Sequence, residues 1–205
     1  MTDKLFLFDF DGVIVDSLAF YRESSGRCFA GMGITDFEDD EAFLDLFDDN
    51  FYVALAKRDI DIEEFRQVAR RVGPTVDDRI IVPFPGVPAV LEQLAADHPL
   101  LVVSSNSGKT IGKILSRSGC DHYFDAVLGS DFLFSKADKI AHAMEEWKGD
   151  RDRTFFIGDT VGDMREAQEA GVRTVAVTWG WHSRERLAGA APDYLIDDPV
   201  ELFQL

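Results

Sequence analysis

The chain has 205 residues, 46% of them hydrophobic and 12% aromatic, including 17 Phe. That content supplies a substantial core and excludes global disorder. Its 38 acidic residues against 21 basic ones give a formal net charge of −17, a surface that repels nucleic acid and anionic lipid, so neither is an expected partner.

Asp outnumbers Glu 26 to 12 and Lys is scarce at 7. This bias fits a salt-adapted source and an ordinary acidic protein equally, and most of the acids read as solvated surface. The sequence opens Met-Thr-Asp-Lys and then runs Leu-Phe-Leu-Phe before stopping at Asp9. Such a run is too short for a signal-peptide core or a membrane span, so a soluble cytoplasmic protein is expected. Cys28 and Cys120 lie far apart without metal-ligand spacing and read as reduced, core-filling thiols.

Strand-like apolar runs recur at 4–9, 100–104, 126–129, 154–158 and 174–178. Helical patterns fall at about 87–97, 108–118, 136–147 and 162–170. The alternation predicts an α/β fold of Rossmann-like type, a parallel sheet with helices on both faces. Asp193-Tyr-Leu-Ile196 and the Pro199 segment would add an edge strand and a closing helix. Residues 17–82 break the rhythm: they hold no convincing strand but repeat amphipathic patterns at Phe20…Phe29, Phe43…Phe51 and Ile62…Val72. A structureless loop of that length is improbable. The expected organisation is therefore a core of 1–16 and 83–205 with a helical cap at 17–82, placed after the first strand and over its end. Within the cap, the acidic run from Asp36 to Asp49 reads as a solvated helix face, and Arg58, Arg66, Arg70 and Arg71 are the candidates for meeting an anion.

Two pairs of carboxylates carry the chemistry. Asp9 and Asp11 end the first strand, in Asp9-Phe-Asp11-Gly12; Asp159 and Asp163 follow another, in Gly158-Asp159-Thr-Val-Gly-Asp163. In an open parallel sheet the carboxyl ends of neighbouring strands face one crevice where ligands bind. Four carboxylates there repel one another unless a cation lies between them, and hard oxygen donors suit Mg²⁺, which also binds phosphate. Metal-assisted phosphoryl chemistry follows.

Taken together, Asp9-Phe-Asp11-Gly12, Leu101-Val-Val-Ser104-Ser105-Asn106, Lys136 in Ser-Lys136-Ala-Asp-Lys139, and Gly158-Asp159-Thr-Val-Gly-Asp163 resemble, in order, the four motifs of the haloacid dehalogenase-like hydrolase superfamily. The likeness is to its phosphatase branch with a helical cap, of the phosphoglycolate phosphatase-like kind. The resemblance implies that Asp9 is the nucleophile, forming a phosphoaspartate, and that Asp11 is the general acid and then base. It implies Mg²⁺ held by a carboxylate oxygen of Asp9, the backbone carbonyl of Asp11, and Asp159, with Asp163 binding directly or through water. Asp163 also opens a helix, so a first-turn or capping role applies to it as well. Ser104 is the expected phosphate donor, with Ser105 and Asn106 competing for part of that role. Lys136 is the expected phosphate-binding cation, although this branch usually carries Lys-Pro where this chain has Lys136-Ala137; Lys139 is its rival.

The acid at Asp11 argues for oxygen esters rather than carbon–halogen or phosphonate substrates. The implied partner is a small phosphorylated metabolite. The alternative within the superfamily is a sugar-phosphate mutase of the β-phosphoglucomutase type, which Val13 favours slightly. The absence of a Gly-x-x-Arg-x-x-Ser pattern in the cap, and Gly158 before Asp159, count against it. A third reading, a binding protein that kept the fold and lost catalysis, would require loss of one of these acids, and none is lost. The four His residues lack metal spacing, and the aromatics of Trp179-Gly-Trp181-His182-Ser183 read as packing.

Overall fold

The structure, a computed structural model, describes residues 4–205; residues 1–3, at the start of the expected core, lie outside the described residues. The chain begins with β1 (Leu5–Phe8) and β2 (Val15–Asp16). Four helices follow: α1 (Leu18–Gly31), α2 (Asp40–Leu44), α3 (Phe51–Ala56) and α4 (Ile62–Val72). Then come β3 (Val82–Pro83), α5 (Val87–Ala95), β4 (Leu100–Val103), α6 (Gly108–Ser118) and β5 (Ala126–Leu128). The remainder is α7 (Lys136–Glu146), β6 (Thr154–Gly158), α8 (Val161–Ala170), β7 (Arg173–Val177), α9 (Arg184–Gly189) and β8 (Tyr194–Ile196).

Six strands form one parallel sheet in the order β5-β4-β1-β6-β7-β8, which places β1 between β4 and β6. Side chains alternate across it, because successive residues of a strand point to opposite faces. Phe6, Phe8, Leu100, Val102, Phe155 and Ile157 pack on one face with Val90 and Leu91 of α5 and Ile111 and Ile114 of α6. Leu5, Leu7, Leu101, Val103 and Phe156 pack on the other with Ile140 of α7, Met164 of α8 and Leu187 of α9. Burying each such side chain contributes about 1.5–3 kcal/mol, so the near-continuous apolar strands are what a sheet covered on both faces requires. The expected parallel sheet and flanking helices are present. The closing segment Pro199–Gln204 is a 3₁₀ helix, and α9 follows a turn rather than any apolar periodicity.

No strand occurs among residues 17–81, and the helices there share their own apolar cluster, including Phe29, Phe43, Leu46, Leu55, Phe65 and Val68. At the segment's two ends Val15–Asp16 pairs antiparallel with Val82–Pro83. This two-residue ribbon leaves no sequence trace, being too short to show alternation. Among the described residues no helix is long and apolar enough to cross a membrane.

The acidic run departs from the solvated face expected of it. Asp36, Glu38, Asp39, Asp40 and Glu41 are exposed, but Asp45, Asp48 and Asp49 are half-buried; Asp45 and Asp48 face basic residues of the sheet's own helices, and Asp49 pairs with Lys57 of its own segment at 2.6 Å. Arg186 reaches Asp45 at 2.6 Å and Asp48 at 2.8 Å, and Arg165 donates to the Asp48 carbonyl at 2.6 Å. His182 completes this seam. Its Nδ1 accepts from the Val161 N–H at 3.0 Å, which fixes the proton on Nε2, where it meets the Leu44 carbonyl at 3.0 Å.

Burial lowers the His182 pKa from its ordinary value of 6.5. The unfolded chain therefore takes up a proton at a pH where the native imidazole stays neutral, and stability falls as pH drops from 6.5 toward the native pKa. His182→Gln should flatten that part of the pH–stability curve, measured by urea unfolding between pH 7 and 5. An unchanged slope would mean that His182 does not contribute to it.

Candidate active site

Because β4, β1 and β6 are adjacent and parallel, the residues that follow them, Ser104, Asp9 and Asp159, meet at one edge of the sheet. Asp9 extends the ladder by one bond, its N–H donating to the Ile157 carbonyl at 2.8 Å. The chain then curls. The N–H groups of Ile14 and Val15 return to the Phe10 carbonyl, and Gly12, at φ +81°, donates to the Val15 carbonyl. This curl turns Asp11 back to the crevice, as the two-residue spacing demands. A Cβ on Gly12 would stand 2.0 Å from Asp159 Oδ2, and one on Gly180 would stand 2.3 Å from Asp159 Cβ. Asp159 is thus wedged between two backbones that only glycine allows so close.

Asp9, Asp159 and Asp163 each bring one carboxylate oxygen within 4.8 Å of the others. Asp163 is fixed by a capping box at the start of α8: Oδ2 accepts from the Thr160 N–H at 3.1 Å and from its hydroxyl at 2.8 Å, while Thr160 Oγ1 accepts from the Asp163 N–H. Both readings of Asp163, helix-start acid and member of the carboxylate cluster, therefore hold in one conformation. Asp159 Oδ2 accepts from the Trp181 N–H at 2.7 Å, whereas its Oδ1, fully buried, has no hydrogen-bond partner. Lys136, the first residue of α7, places its ammonium 2.7 Å from Asp9 Oδ2 and also against Asp163.

The electrostatics follow from burial. Burial pushes Asp9 up to about 7, Asp163 and Asp11 adding to the shift and Lys136 opposing it. Burial and then the charges of Asp163 and Asp9 hold Asp159 well above the carboxylate range. Burial works against the charge on Lys136, but Asp163, Asp9 and Glu166 outweigh it and hold the ammonium protonated. One lysine against three buried carboxylates leaves a deficit of positive charge. The all-oxygen donor set and the orphaned Asp159 Oδ1 fit a hard divalent cation.

Asp11 Oδ2 accepts from Asn106 Nδ2 and from the Tyr21 hydroxyl, each at 3.3 Å, and the Asn106 amide also donates to that hydroxyl at 2.8 Å. Burial raises the Asp11 pKa against the pull of neighbouring Ser17, Asn106 and Tyr21. Tyr21 comes from the first turn of α1, ten residues after Asp11, and no residue pattern marks its role. Ser104 is buried, and its hydroxyl accepts from the Asn106 N–H at 3.1 Å; Ser105 is half-buried beside it. Of the two lysines, Lys136 takes the carboxylates, and Lys139 braces the strand end by donating to the Ser104 carbonyl at 2.7 Å. Burial, with Lys136 close by, lowers Lys139 to about 8. Glu166 is another residue without a sequence signal; it accepts the Lys136 N–H at 2.7 Å and so fixes the start of α7.

A cavity of about 490 Å³ opens between these strand ends and the helical segment. Asp9, Asp11, Ser104, Ser105, Lys136 and Asp163 line one end, with Asp159 buried beneath. Arg66 and Arg70 line it from α4. Arg58 and Arg71, also considered from sequence, do not; Arg58 donates to the Ala54 carbonyl and faces a different groove.

Gly12→Ala tests the wedge. A side chain in the left-handed region costs about 1–2 kcal/mol, and the Asp159 collision adds to it. The urea midpoint should fall accordingly at neutral pH; a midpoint equal to that of the parent would show that Asp159 is not confined by this turn.

The sequence matches the haloacid dehalogenase-like hydrolase family over residues 6–177. A phosphoglycolate phosphatase of Synechococcus elongatus is 29% identical, over 97% of this chain and 94% of its own length. A pyrophosphatase of Oceanobacillus iheyensis is 26% identical, over 100% and 97%. Among solved structures, a protein described as a predicted phosphatase from Clostridium acetobutylicum superposes with a TM-score of 0.86 at 25% identity, covering 100% of this chain and 98% of that one. With the match running from β1 to the end of β7, the chain belongs to the haloacid dehalogenase-like hydrolase family.

Proposed function

We propose that this hydrolase is a Mg²⁺-dependent phosphatase that cleaves a small phosphorylated metabolite through a phosphoaspartate on Asp9. The observation that carries the reading is the convergence of Asp9, Asp159 and Asp163 on one buried point, with Lys136 against two of them and an unpartnered oxygen on Asp159. Asp9, Asp159 and the Asp11 carbonyl would hold the ion, with Asp163 bound directly or through water. Bound there, Mg²⁺ would supply the charge that lets a carboxylate approach a phosphoryl dianion.

The residues of this chain do the rest. Asp9 attacks phosphorus, and the bond to the leaving oxygen breaks. Asp11, whose pKa burial raises, passes its proton to that oxygen. In the second step Asp11 takes a proton from water, which attacks the same phosphorus and breaks the acyl phosphate. Inorganic phosphate leaves and Asp9 is restored. Ser104, with Ser105 beside it, and Lys136 hold the phosphoryl oxygens. The names of the similar phosphoglycolate phosphatases support an oxygen-ester substrate.

Residues 17–82 would act as the cap of a core made of 1–16 and 83–205. Their separate apolar cluster and the two-stranded ribbon at their boundary support this division. Closing that cap brings Tyr21 to Asp11 and shields the acyl phosphate from bulk water.

Asp9→Asn should lower turnover of a phosphate monoester by at least about three orders of magnitude with an unchanged far-ultraviolet spectrum; near-parental activity in a variant checked for deamidation would overturn the assignment. Excess chelator should silence the enzyme and Mg²⁺ restore it. Ca²⁺ should compete with Mg²⁺ and inhibit, because its larger and looser coordination shell misplaces the nucleophile. Full activity in chelator would rule out the metal.

A further inference from the structure

The cavity is more than a phosphate site, and its walls are unlike what a two-carbon acid needs. From the Asp11 end, five rings follow one another along the lining. Tyr21 lies 5.5 Å from Trp181, Trp181 4.7 Å from Phe47, Phe47 5.4 Å from Phe51, and Phe51 5.5 Å from Tyr52. Phe47, Phe51 and Tyr52 are only half-buried; they pack on the cluster of the helical segment and turn their remaining surface to the cavity. The arc ends at Arg66, whose guanidinium lies 4.6 Å over the Tyr52 ring. Among the described residues no carboxylate pairs with Arg66. The two other acids that line the cavity are already engaged, Asp49 by Lys57 at 2.6 Å and Glu166 by the Lys136 N–H.

A cavity with phosphoryl chemistry at the strand ends, an arc of aromatic rings on its wall and, over the last of those rings, a guanidinium with no carboxylate partner fits one ligand design. We infer that the substrate is a phosphate monoester whose leaving alcohol carries a flat aromatic body with an anionic or hydrogen-bond-accepting group at its far end. This inference rests on the phosphatase reading and deepens it. Rings attract a flat apolar body by area and by edge or offset stacking, and they offer glycolate nothing. A stacked guanidinium keeps its in-plane N–H donors available for a carboxylate or carbonyl. About 490 Å³ also exceeds what a phosphorylated two-carbon acid fills.

The test compares primary-alcohol phosphates, so that leaving-group basicity stays comparable: ethyl phosphate, phosphoglycolate, 2-phenylethyl phosphate and its para-carboxylate, each with Mg²⁺ and read as kcat/KM. The expected order places 2-phenylethyl phosphate at least about tenfold above ethyl phosphate and phosphoglycolate, in keeping with the burial of one ring. The para-carboxylate should rise further. Arg66→Gln should remove the carboxylate gain, and Phe51→Leu should shrink the ring preference. If the esters are hydrolysed but phosphoglycolate equals or exceeds the aromatic ones, the substrate class is wrong and the phosphatase reading stands. If the ring preference appears but the carboxylate gives no gain, or Arg66→Gln leaves its gain intact, the far-end assignment is wrong. If none of the four is hydrolysed while a broader panel of phosphate esters is, the substrate class fails alone. If no ester is hydrolysed with Mg²⁺ at all, both fail.

Discussion

Three carboxylates share one buried point, and their mutual repulsion is the constraint around which the rest of the structure is arranged. Asp9, Asp159 and Asp163 lie where water cannot screen them, and desolvation alone pushes Asp9 and Asp159 toward their protonated forms. Lys136 offsets part of this by pairing with two of the three. Its own charge is secured by the same carboxylates, so neither side of the arrangement would persist without the other. Such a site is costly to fold, and under the proposed reading a bound cation completes its charge balance.

The sheet order makes the convergence possible. With β1 between β4 and β6, three strand ends deliver Ser104, Asp9 and Asp159 side by side without any long-range loop having to find its place. Close approach is then secured locally. Gly12 and Gly180 let two turns touch Asp159, the Thr160–Asp163 capping box locks one carboxylate by the first turn of α8, and Glu166 fixes the first residue of α7. Each of these devices acts within a few residues of a strand or helix end. The site is therefore held by the sheet that carries it, each side chain fixed by a contact close in sequence to a strand or helix end.

The helical segment meets this edge through two different kinds of contact. Along one seam Asp45, Asp48 and the Leu44 carbonyl face Arg186, Arg165 and His182, a polar and partly exposed set whose ion pairs are individually weak and sensitive to salt. Over the strand ends Tyr21 reaches Asp11 and Asn106. Among the described residues Tyr21 is the one side chain of α1 that donates to the strand-end acid Asp11, so this contact joins the helical segment to the carboxylate edge. The acidic run has a structural role here that its composition alone does not suggest.

Much of this was legible in the sequence, because its determinants are local. Alternating strand and helix patterns specified the parallel sheet, since apolar periodicity reflects burial on one face or two. Asp9, Asp11, Asp159 and Asp163 could be picked out because each follows an apolar run and strand ends in such sheets share a crevice. Lys136 could be preferred over Lys139 because it opens a helix; the structure places Lys136 against Asp9 and Asp163 and Lys139 on the Ser104 carbonyl. Other features depended on tertiary structure. Tyr21, Glu166 and His182 act across 10 to 138 residues of chain, and their partners cannot be read from the residues beside them. The two-residue ribbon is too short for periodicity to register. The pairing of Asp45 and Asp48 with Arg186, and the selection of Arg66 and Arg70 over Arg58 and Arg71, follow from how the helical segment docks on the sheet. Docking depends on distant surfaces meeting, and a single sequence encodes those surfaces without showing which will face each other.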